Sequence, residues 1–125
     1  MKSHYLSLAL LLLLSACAGA RTKSPEKSFV DRWDLTIFGT PLGTVNGILT
    51  IVQAEGELSG TFSSQGEVIP LKTVSLEAEK LSTIFFYPAY GVDVDIVLEG
   101  MPTANTLEGE TYGDFRTVAE RVSNP

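Results

Sequence analysis

Alternation of apolar and polar residues, interrupted by glycine-containing turns, is the feature that most limits how this chain can fold. From Phe29 onward the alternation has a period of two, and the turns recur at intervals of roughly eight to twelve residues. The clearest stretch is 92–99, where Val92, Val94, Ile96 and Leu98 alternate with Asp93, Asp95, Val97 and Glu99. Residues of one parity share one face of a strand, so this stretch needs one buried and one solvated face. The pattern predicts an all-β barrel or sandwich.

The same alternation predicts about eight strands in a single small domain. We place them at 32–38, 44–53, 57–63, 67–76, 81–87, 92–99, 106–111 and 115–122. Pro70 lacks a backbone N–H, which predicts a bulge or a sheet edge in the fourth strand. Residues 76–81 favour a helix by propensity, but they would make fewer than two helical turns, so we expect a hairpin tip there.

The first and last strands carry residues that resemble a known group of folds. Trp33 shares one face of the first strand with Leu35 and Ile37, and Arg121 lies in the last strand. With these positions the chain resembles small calycin-type barrels, the group that includes lipocalins and avidins. The resemblance implies a single antiparallel up-and-down barrel, closed by the cation of Arg121 lying over the indole of Trp33. The alternatives are an ordinary core tryptophan and an exposed charge near a frayed terminus.

A second resemblance covers about residues 33–121. An uncharacterised bacterial family, found alone or appended to exported hydrolases, has the pattern Trp-Asp-Leu, a Pro-x-Gly turn, Leu-Thr-Leu-x-Gln, Leu-Ser-Gly-Thr and a final Arg. Similar residues stand here at 33–35, 41–43, 49–53, 58–61 and 121. These motifs are mostly structural, so they bear on the fold more than on activity. Asp31 stands where lipocalins have a glycine, two residues before the tryptophan.

The first sixteen residues have the features of an export signal. A short basic start precedes the apolar run 5–14, which would rise only about 15 Å as a helix, roughly half of a bilayer's hydrocarbon core. The next residues, Leu14-Ser15-Ala16-Cys17, resemble the bacterial lipobox. That resemblance implies cleavage between Ala16 and Cys17 and diacylglycerol on the Cys17 sulfur. The alternative is a plain secretory signal with a small-residue cleavage site around Cys17.

These features predict a signal peptide at 1–16, a lipidated cysteine and flexible tether at 17–28, and a β-barrel domain at 29–125. Two or three acyl chains on Cys17 would hold the protein firmly at a lipid bilayer. Ala18 follows the cysteine, whereas an aspartate there is the inner-membrane retention signal of enteric lipoproteins. For a Gram-negative host we therefore expect an outer-membrane lipoprotein that faces the periplasm.

Charge and the inventory of reactive residues exclude several classes of function. Without residues 1–16 the chain has eight basic and fifteen acidic side chains, so we expect no nucleic-acid partner. The only histidine, His4, lies in the signal peptide, and the only cysteine is assigned to lipid. Nucleophile pairs that need histidine, and the commonest zinc ligands, are therefore missing from the domain. We predict a protein that is not an enzyme and has no metal, cofactor or disulfide.

Carboxylates are the remaining candidates for chemistry. Asp93 and Asp95 lie on one face of the sixth strand, about 6.6 Å apart along it, with Glu99 further along. A calcium ion would use them, but it takes about six to eight oxygen ligands. The simpler interpretation is a solvated strand face.

The densest aromatic stretch, 85–90, is the candidate binding site. At the mouth of a barrel, Phe86, Tyr87 and Tyr90 would stack on an apolar ligand or contact a partner protein. The alternative is that Phe85 and Tyr87 face the core while Phe86 packs outside. We expect any partner to contact the loop 87–90 rather than the acidic face around Asp93.

Two functions from different classes follow. One is a protein-interaction or structural module whose barrel is filled by its own side chains, and the other is a binder of a small apolar ligand inside the barrel. Short strands and many β-branched residues favour the filled barrel, and hence an envelope protein as the partner. A further alternative is an inhibitor of an envelope hydrolase, although lysozyme inhibitors of this size usually have a disulfide that this chain lacks.

Overall fold

The predicted architecture, an all-β up-and-down barrel, is confirmed. The structure, a computed structural model, describes residues 27–122 and contains a closed barrel of antiparallel strands. Each strand pairs with the next one in the chain, and the last pairs with the first. The strands are β1 Arg32–Thr40, β2 Gly43–Ala54, β3 Glu57–Ser64, β4 Glu67–Glu77, β5 Lys80–Tyr87, β6 Val92–Glu99, β7 Thr106–Thr111 and β8 Phe115–Arg121.

Several sequence predictions lie outside the described residues. They are the signal peptide 1–16, the cleavage site at Ala16 and Cys17, the lipid on Cys17 and most of the tether 17–28. The last three residues of the chain also lie outside them. Within residues 27–122 the structure contains no helix of the length and apolar character that a membrane span requires.

Alternation along the strands places the apolar side chains inside the barrel, as predicted. Trp33, Leu35 and Ile37 of β1 are buried, and so are Leu49 and Ile51 of β2. In β6, Ile96 and Leu98 are buried and Val92 and Val94 are half-buried, whereas Asp93 and Glu99 are exposed. The hairpin tip predicted at 76–81 is a turn at 78–79 between β4 and β5.

The predicted irregularity near Pro70 is present in β4. Pro70 is the last β4 residue in register with β3, opposite Thr61. On the other side of β4 the register with β5 shifts between Leu71 and Thr73, which is a bulge. The extra residue exchanges the two faces, so that odd-numbered residues face inward before the bulge and even-numbered residues, including Val74, do so after it.

The up-and-down topology sorts the turns between two ends of the barrel. The turns β1–β2, β3–β4, β5–β6 and β7–β8 lie at one end, which we call the open end. The other three turns lie at the opposite end, which we call the closed end, together with the start of β1 and the end of β8. The chain therefore enters and leaves the barrel at the closed end.

Candidate functional site

The half of the barrel next to the closed end is filled by its own side chains. Trp33 and Leu35 are fully buried there, and they share the space with large side chains from the other strands. The further members are Leu49, Ile51, Leu81, Ile96, Leu98, Leu107 and Ala119, with relative exposures of 2% or less. Phe29, which precedes β1, is buried in the same core. This half matches the expectation of a filled interior.

Arg121 covers this core at the closed end. Its guanidinium carbon lies 4.4 Å from the centre of the Trp33 ring, and its side chain is only 7% exposed. Nη1 donates to the Ser28 carbonyl and to Asp31 Oδ2, at 2.9 and 2.7 Å. Nη2 donates to the carbonyls of Pro102 and Ala104, at 2.8 and 2.7 Å.

The Trp33–Arg121 pair lies where the first and last strands of the barrel meet. The two residues face each other across the β1–β8 ladder, and the indole N–H of Trp33 donates to the Phe29 carbonyl at 3.1 Å. Arg121 of β8 joins two other parts of the chain, because its acceptors lie in the segment before β1 and in the β6–β7 connection. The closed end is therefore a structural cap.

Asp31 is part of this cap and was missed by the sequence reasoning, which noted it only as a departure from lipocalins. Partial burial by itself raises its pKa, but the hydrogen bond from Arg121 and that from the Arg32 backbone N–H lower it, as do the charges of Arg121 and Lys27. The net effect is a pKa below the ordinary value for aspartate. Asp31 is therefore an anion at neutral pH, and it offsets part of the buried charge of Arg121.

The half of the barrel next to the open end is hollow. A cavity of about 410 Å³ opens between the four turns of that end. Ile37, Ile69, Phe62 and Phe85 line its inner part, and the Phe62 and Phe85 rings stack with centroids 4.9 Å apart. The valines at 45, 92 and 94 and the ring of Phe115 complete the apolar wall. The volume is within the range of roughly 300–1,000 Å³ of small-molecule sites.

Close backbone packing beside the cavity depends on Gly47. A Cβ at this position would lie 2.6 Å from two carbons of the Phe62 ring. Gly47 faces inward between the half-buried Val45 and the buried Leu49, so the ring of Phe62 covers the space that a side chain would fill. Because Gly47 has no side chain, the Phe62 ring can lie against the barrel wall, and the centre of the cavity stays open.

Polar groups inside the cavity are few and satisfied. Thr111 lines the wall, and its hydroxyl is 2.7 Å from the hydroxyl of the buried Thr117. The Thr117 hydroxyl also donates to the Phe115 carbonyl at 3.0 Å. Deeper in the barrel the Thr83 hydroxyl donates to the Thr73 carbonyl. An apolar ligand would therefore leave no buried hydroxyl without a partner.

Aromatic side chains surround the mouth of the cavity. Tyr87 and Tyr90 line it, with ring centroids 5.4 Å apart in an edge-to-face arrangement. Backbone N–H groups of Tyr90 and Gly91 donate to the Tyr87 carbonyl, which fixes this turn. Tyr112, from the β7–β8 turn, also lines the cavity and is 48% exposed. These rings offer contact area to whatever enters the mouth.

Tyr112 has a backbone conformation that bulky residues rarely adopt. Its φ is +58°, in the left-handed region, and Gly113 follows it at +70°. The Tyr112 N–H donates to the Asp95 carbonyl at 2.7 Å and holds the turn against β6. The Glu55–Gly56 and Gln65–Gly66 turns have the same pair of positive φ angles, so this conformation belongs to the type of hairpin turn.

The structure separates the predicted aromatic residues. Tyr87 and Tyr90 line the cavity, whereas Phe86 lies on the outer face of β5 and is 46% exposed. Phe85, the inward neighbour, is buried. The alternative interpretation of this stretch therefore describes Phe85 and Phe86 correctly, while the loop that follows them forms part of the mouth.

The carboxylates of β6 are on the outer surface. Asp93 forms an ion pair with Lys72, at 2.9 Å between Nζ and Oδ2, and both side chains are about half exposed. Among residues 27–122 no group of three or more potential ligands is placed to hold a metal ion. The arrangement fits a solvated strand face.

Several residues of the mouth were missed by the sequence reasoning. They are contributed by the turns other than β5–β6, and they include Leu42, Glu67, Tyr112 and Asp114. A signal for them was available, because alternate turns of an up-and-down barrel meet at the same end. Once the aromatic loop is placed at the mouth, the first, third and seventh turns must lie beside it.

Comparisons with protein-family models, with curated proteins and with solved structures found no match for this chain. Its function is therefore argued from the site alone.

Proposed function

We propose that the barrel binds a small apolar ligand in the cavity at its open end, without catalysis. The observation that carries this proposal is the hollow, apolar half of the barrel beneath a ring of aromatic side chains. A binding site of this kind is concave, mostly apolar and largely preformed. The filled interior expected from the sequence is present only in the other half, so a ligand takes precedence over a partner protein.

The proposal includes a membrane anchor on Cys17, in a lipoprotein exported to the envelope. Its support is the sequence of residues 1–17, and for a Gram-negative host it implies the outer membrane, facing the periplasm. The tether joins the barrel at the closed end, where the Ser28 carbonyl accepts a hydrogen bond from Arg121. The mouth therefore lies at the opposite end from the point of attachment. Acyl chains on the cysteine are tested by mass spectrometry of the membrane fraction.

Ligand binding is tested with N-phenylnaphthylamine, an uncharged fluorescent probe whose emission rises in an apolar site. The protein is the chain 17–125 carrying Cys17→Ser, so that no acyl chain competes for the cavity. We expect saturable binding that is lost in Val94→Phe, because Val94 lines the cavity. The control is Val97→Phe, which adds the same ring to the outer face of the same strand. Absence of saturable binding, or equal loss in both variants, would contradict the proposal.

A second candidate is contact between the open end and an envelope protein. It is favoured by the large apolar side chains exposed around the mouth, of which Leu42 is 62% and Tyr90 55% exposed. The two candidates share residues of the mouth, but only the ligand also occupies the interior of the barrel. Filling the cavity with Val94→Phe would abolish ligand binding and leave a contact at Leu42 unchanged.

A further inference from the structure

We infer that the ligand of the cavity is an amphiphile with a cationic head, whose apolar part lies in the barrel and whose head lies at the mouth. This inference rests on the proposed function and names its ligand class. It follows from two features of the mouth, its negative charges and its aromatic rings.

The charged groups at the mouth are all negative. Glu67, at the start of β4, and Asp114, in the β7–β8 turn, line the cavity and are exposed. No lysine, arginine or histidine is found among the described residues that line it. Neither carboxylate forms an ion pair within residues 27–122, where Asp31, Glu77, Asp93 and Glu108 are the acidic partners of the ion pairs. These two negative charges would attract a cationic head at the mouth and repel an anionic one.

The described cations do not line the cavity. Lys72 is paired with Asp93 on the outer face, Arg116 contacts Glu108 and lies over Phe38, and Arg121 is in the cap at the closed end. A fatty acid or another anionic amphiphile would thus find carboxylates at the mouth and no described cation lining it. This charge distribution selects against the carboxylate class of apolar ligands.

The aromatic rings of the mouth provide a second source of selectivity. Tyr87, Tyr90 and Tyr112 line the cavity from two turns, and the negative faces of such rings attract ammonium groups. Aromatic rings form the cages in which proteins recognise quaternary ammonium groups. The cavity wall below is apolar, so the rest of the ligand enters it without leaving polar groups unpaired.

The test compares three ligands that share one dodecyl chain and differ in the head: dodecyltrimethylammonium, dodecanol and dodecanoate. The two ionic compounds are used below their micellar concentrations and dodecanol below its solubility limit, at neutral pH, where the first compound is cationic and the last anionic. The chain 17–125 with Cys17→Ser is preloaded with N-phenylnaphthylamine, and displacement of the probe is measured. We expect the ammonium compound to bind roughly fivefold more tightly than the alcohol at low ionic strength, and the carboxylate more weakly than the alcohol.

Matched variants assign the preference to the mouth. Glu67→Gln combined with Asp114→Asn should bring the affinities of the ammonium compound and the alcohol, both measured in that variant, within about twofold. The control is Asp34→Asn combined with Glu57→Gln. It also removes two negative charges, but from exposed positions that do not line the cavity, and it should preserve the preference. Added salt should also reduce the preference, since both carboxylates are exposed.

The outcomes separate this inference from the proposed function. If the probe and all three ligands fail to bind, the proposed function is wrong. If the three ligands bind equally, or the carboxylate binds most tightly, the barrel is a binding protein and the inference about the head group is wrong. A preference for the ammonium compound that survives the Glu67 and Asp114 substitutions also overturns it, because the charges named here would then not be its cause.

Discussion

The two halves of this barrel are built from the same strands and the same alternation, yet one half is filled and the other is hollow. The difference lies in how the inward-facing side chains fill the interior. Near the closed end they are mostly tryptophan, leucine and isoleucine, and Arg121 covers them from outside. Near the open end three valines and Thr111 line the cavity together with larger side chains, of which Phe62 and Phe85 stack on each other and Phe62 lies next to Gly47. A small barrel can thus keep a cavity in one half without any change of strand pairing.

The largest expected effect on stability comes from removing the Trp33 side chain from the core of the filled half. Trp33→Ala should lower the free energy of unfolding by about 3 to 5 kcal/mol, because it leaves a large void in a core that relaxes only partly. Tyr90→Ala, at the rim, should change it by about 0.5 kcal/mol or less. Urea denaturation measures both. Similar losses of unfolding free energy in the two variants would contradict the distinction between a structural closed end and a binding open end.

The next effect concerns two arginines that each lie over an aromatic ring beside a carboxylate. Arg121 is almost completely buried, whereas Arg116 and its partner Glu108 are mostly exposed. Arg121→Met should lower the free energy of unfolding by about 3 kcal/mol, since it leaves Asp31 and several carbonyls without their donor. Arg116→Met should cost about 1 kcal/mol or less. Equal losses of unfolding free energy in the two variants would show that burial of Arg121 does not increase its contribution to stability.

A smaller, pH-dependent effect is expected at Asp31. Its pKa is lower in the folded protein than in the unfolded chain, so the ionised form stabilises the fold above the unfolded-state pKa of about 3.9. That contribution is lost as the pH falls through the folded-state pKa. Asp31→Asn should therefore cost about 1 kcal/mol at pH 7, allowing for solvent screening of a side chain that is 34% exposed, and almost nothing in strong acid.

The control for the Asp31 experiment is Asp34→Asn on the exposed face of β1, which should cost little at any pH. Denaturation midpoints measured between about pH 2 and pH 7 provide the comparison. A cost for Asp31→Asn that does not change with pH would mean that the carboxylate charge is not what stabilises the cap.

The filled half of the molecule was more predictable from the sequence than the hollow half. Strand alternation is a local property, so β6 and β7 were placed at their observed bounds and Trp33, Leu35 and Ile37 on one face. The hairpin tip at 78–79 and the irregularity near Pro70 also followed from local rules. The fold therefore needed little information beyond each strand's own residues.

The cavity depends on residues that are distant in sequence. Whether the space above Phe62 and Phe85 is filled depends on side chains from all the surrounding strands at once. Pro70 predicts an irregularity in β4, but it does not predict that the bulge between Leu71 and Thr73 exchanges the inward and outward faces of the strand. The acceptors of Arg121 lie 17 to 93 positions away in the chain. Packing at this level is set by tertiary contacts and not by the local pattern.

The most direct test of a hollow half beside a filled half is to add one aromatic ring to each half of β6 in turn. Val94→Phe places it in the cavity, and Ile96→Phe places it in the filled core two residues away. We predict that Val94→Phe changes the free energy of unfolding by about 0.5 kcal/mol or less, because the ring enters open space, and that Ile96→Phe lowers it by about 1 to 3 kcal/mol through overpacking. Equal destabilisation by the two substitutions would show that the open half is packed as tightly as the closed half, and would contradict the account.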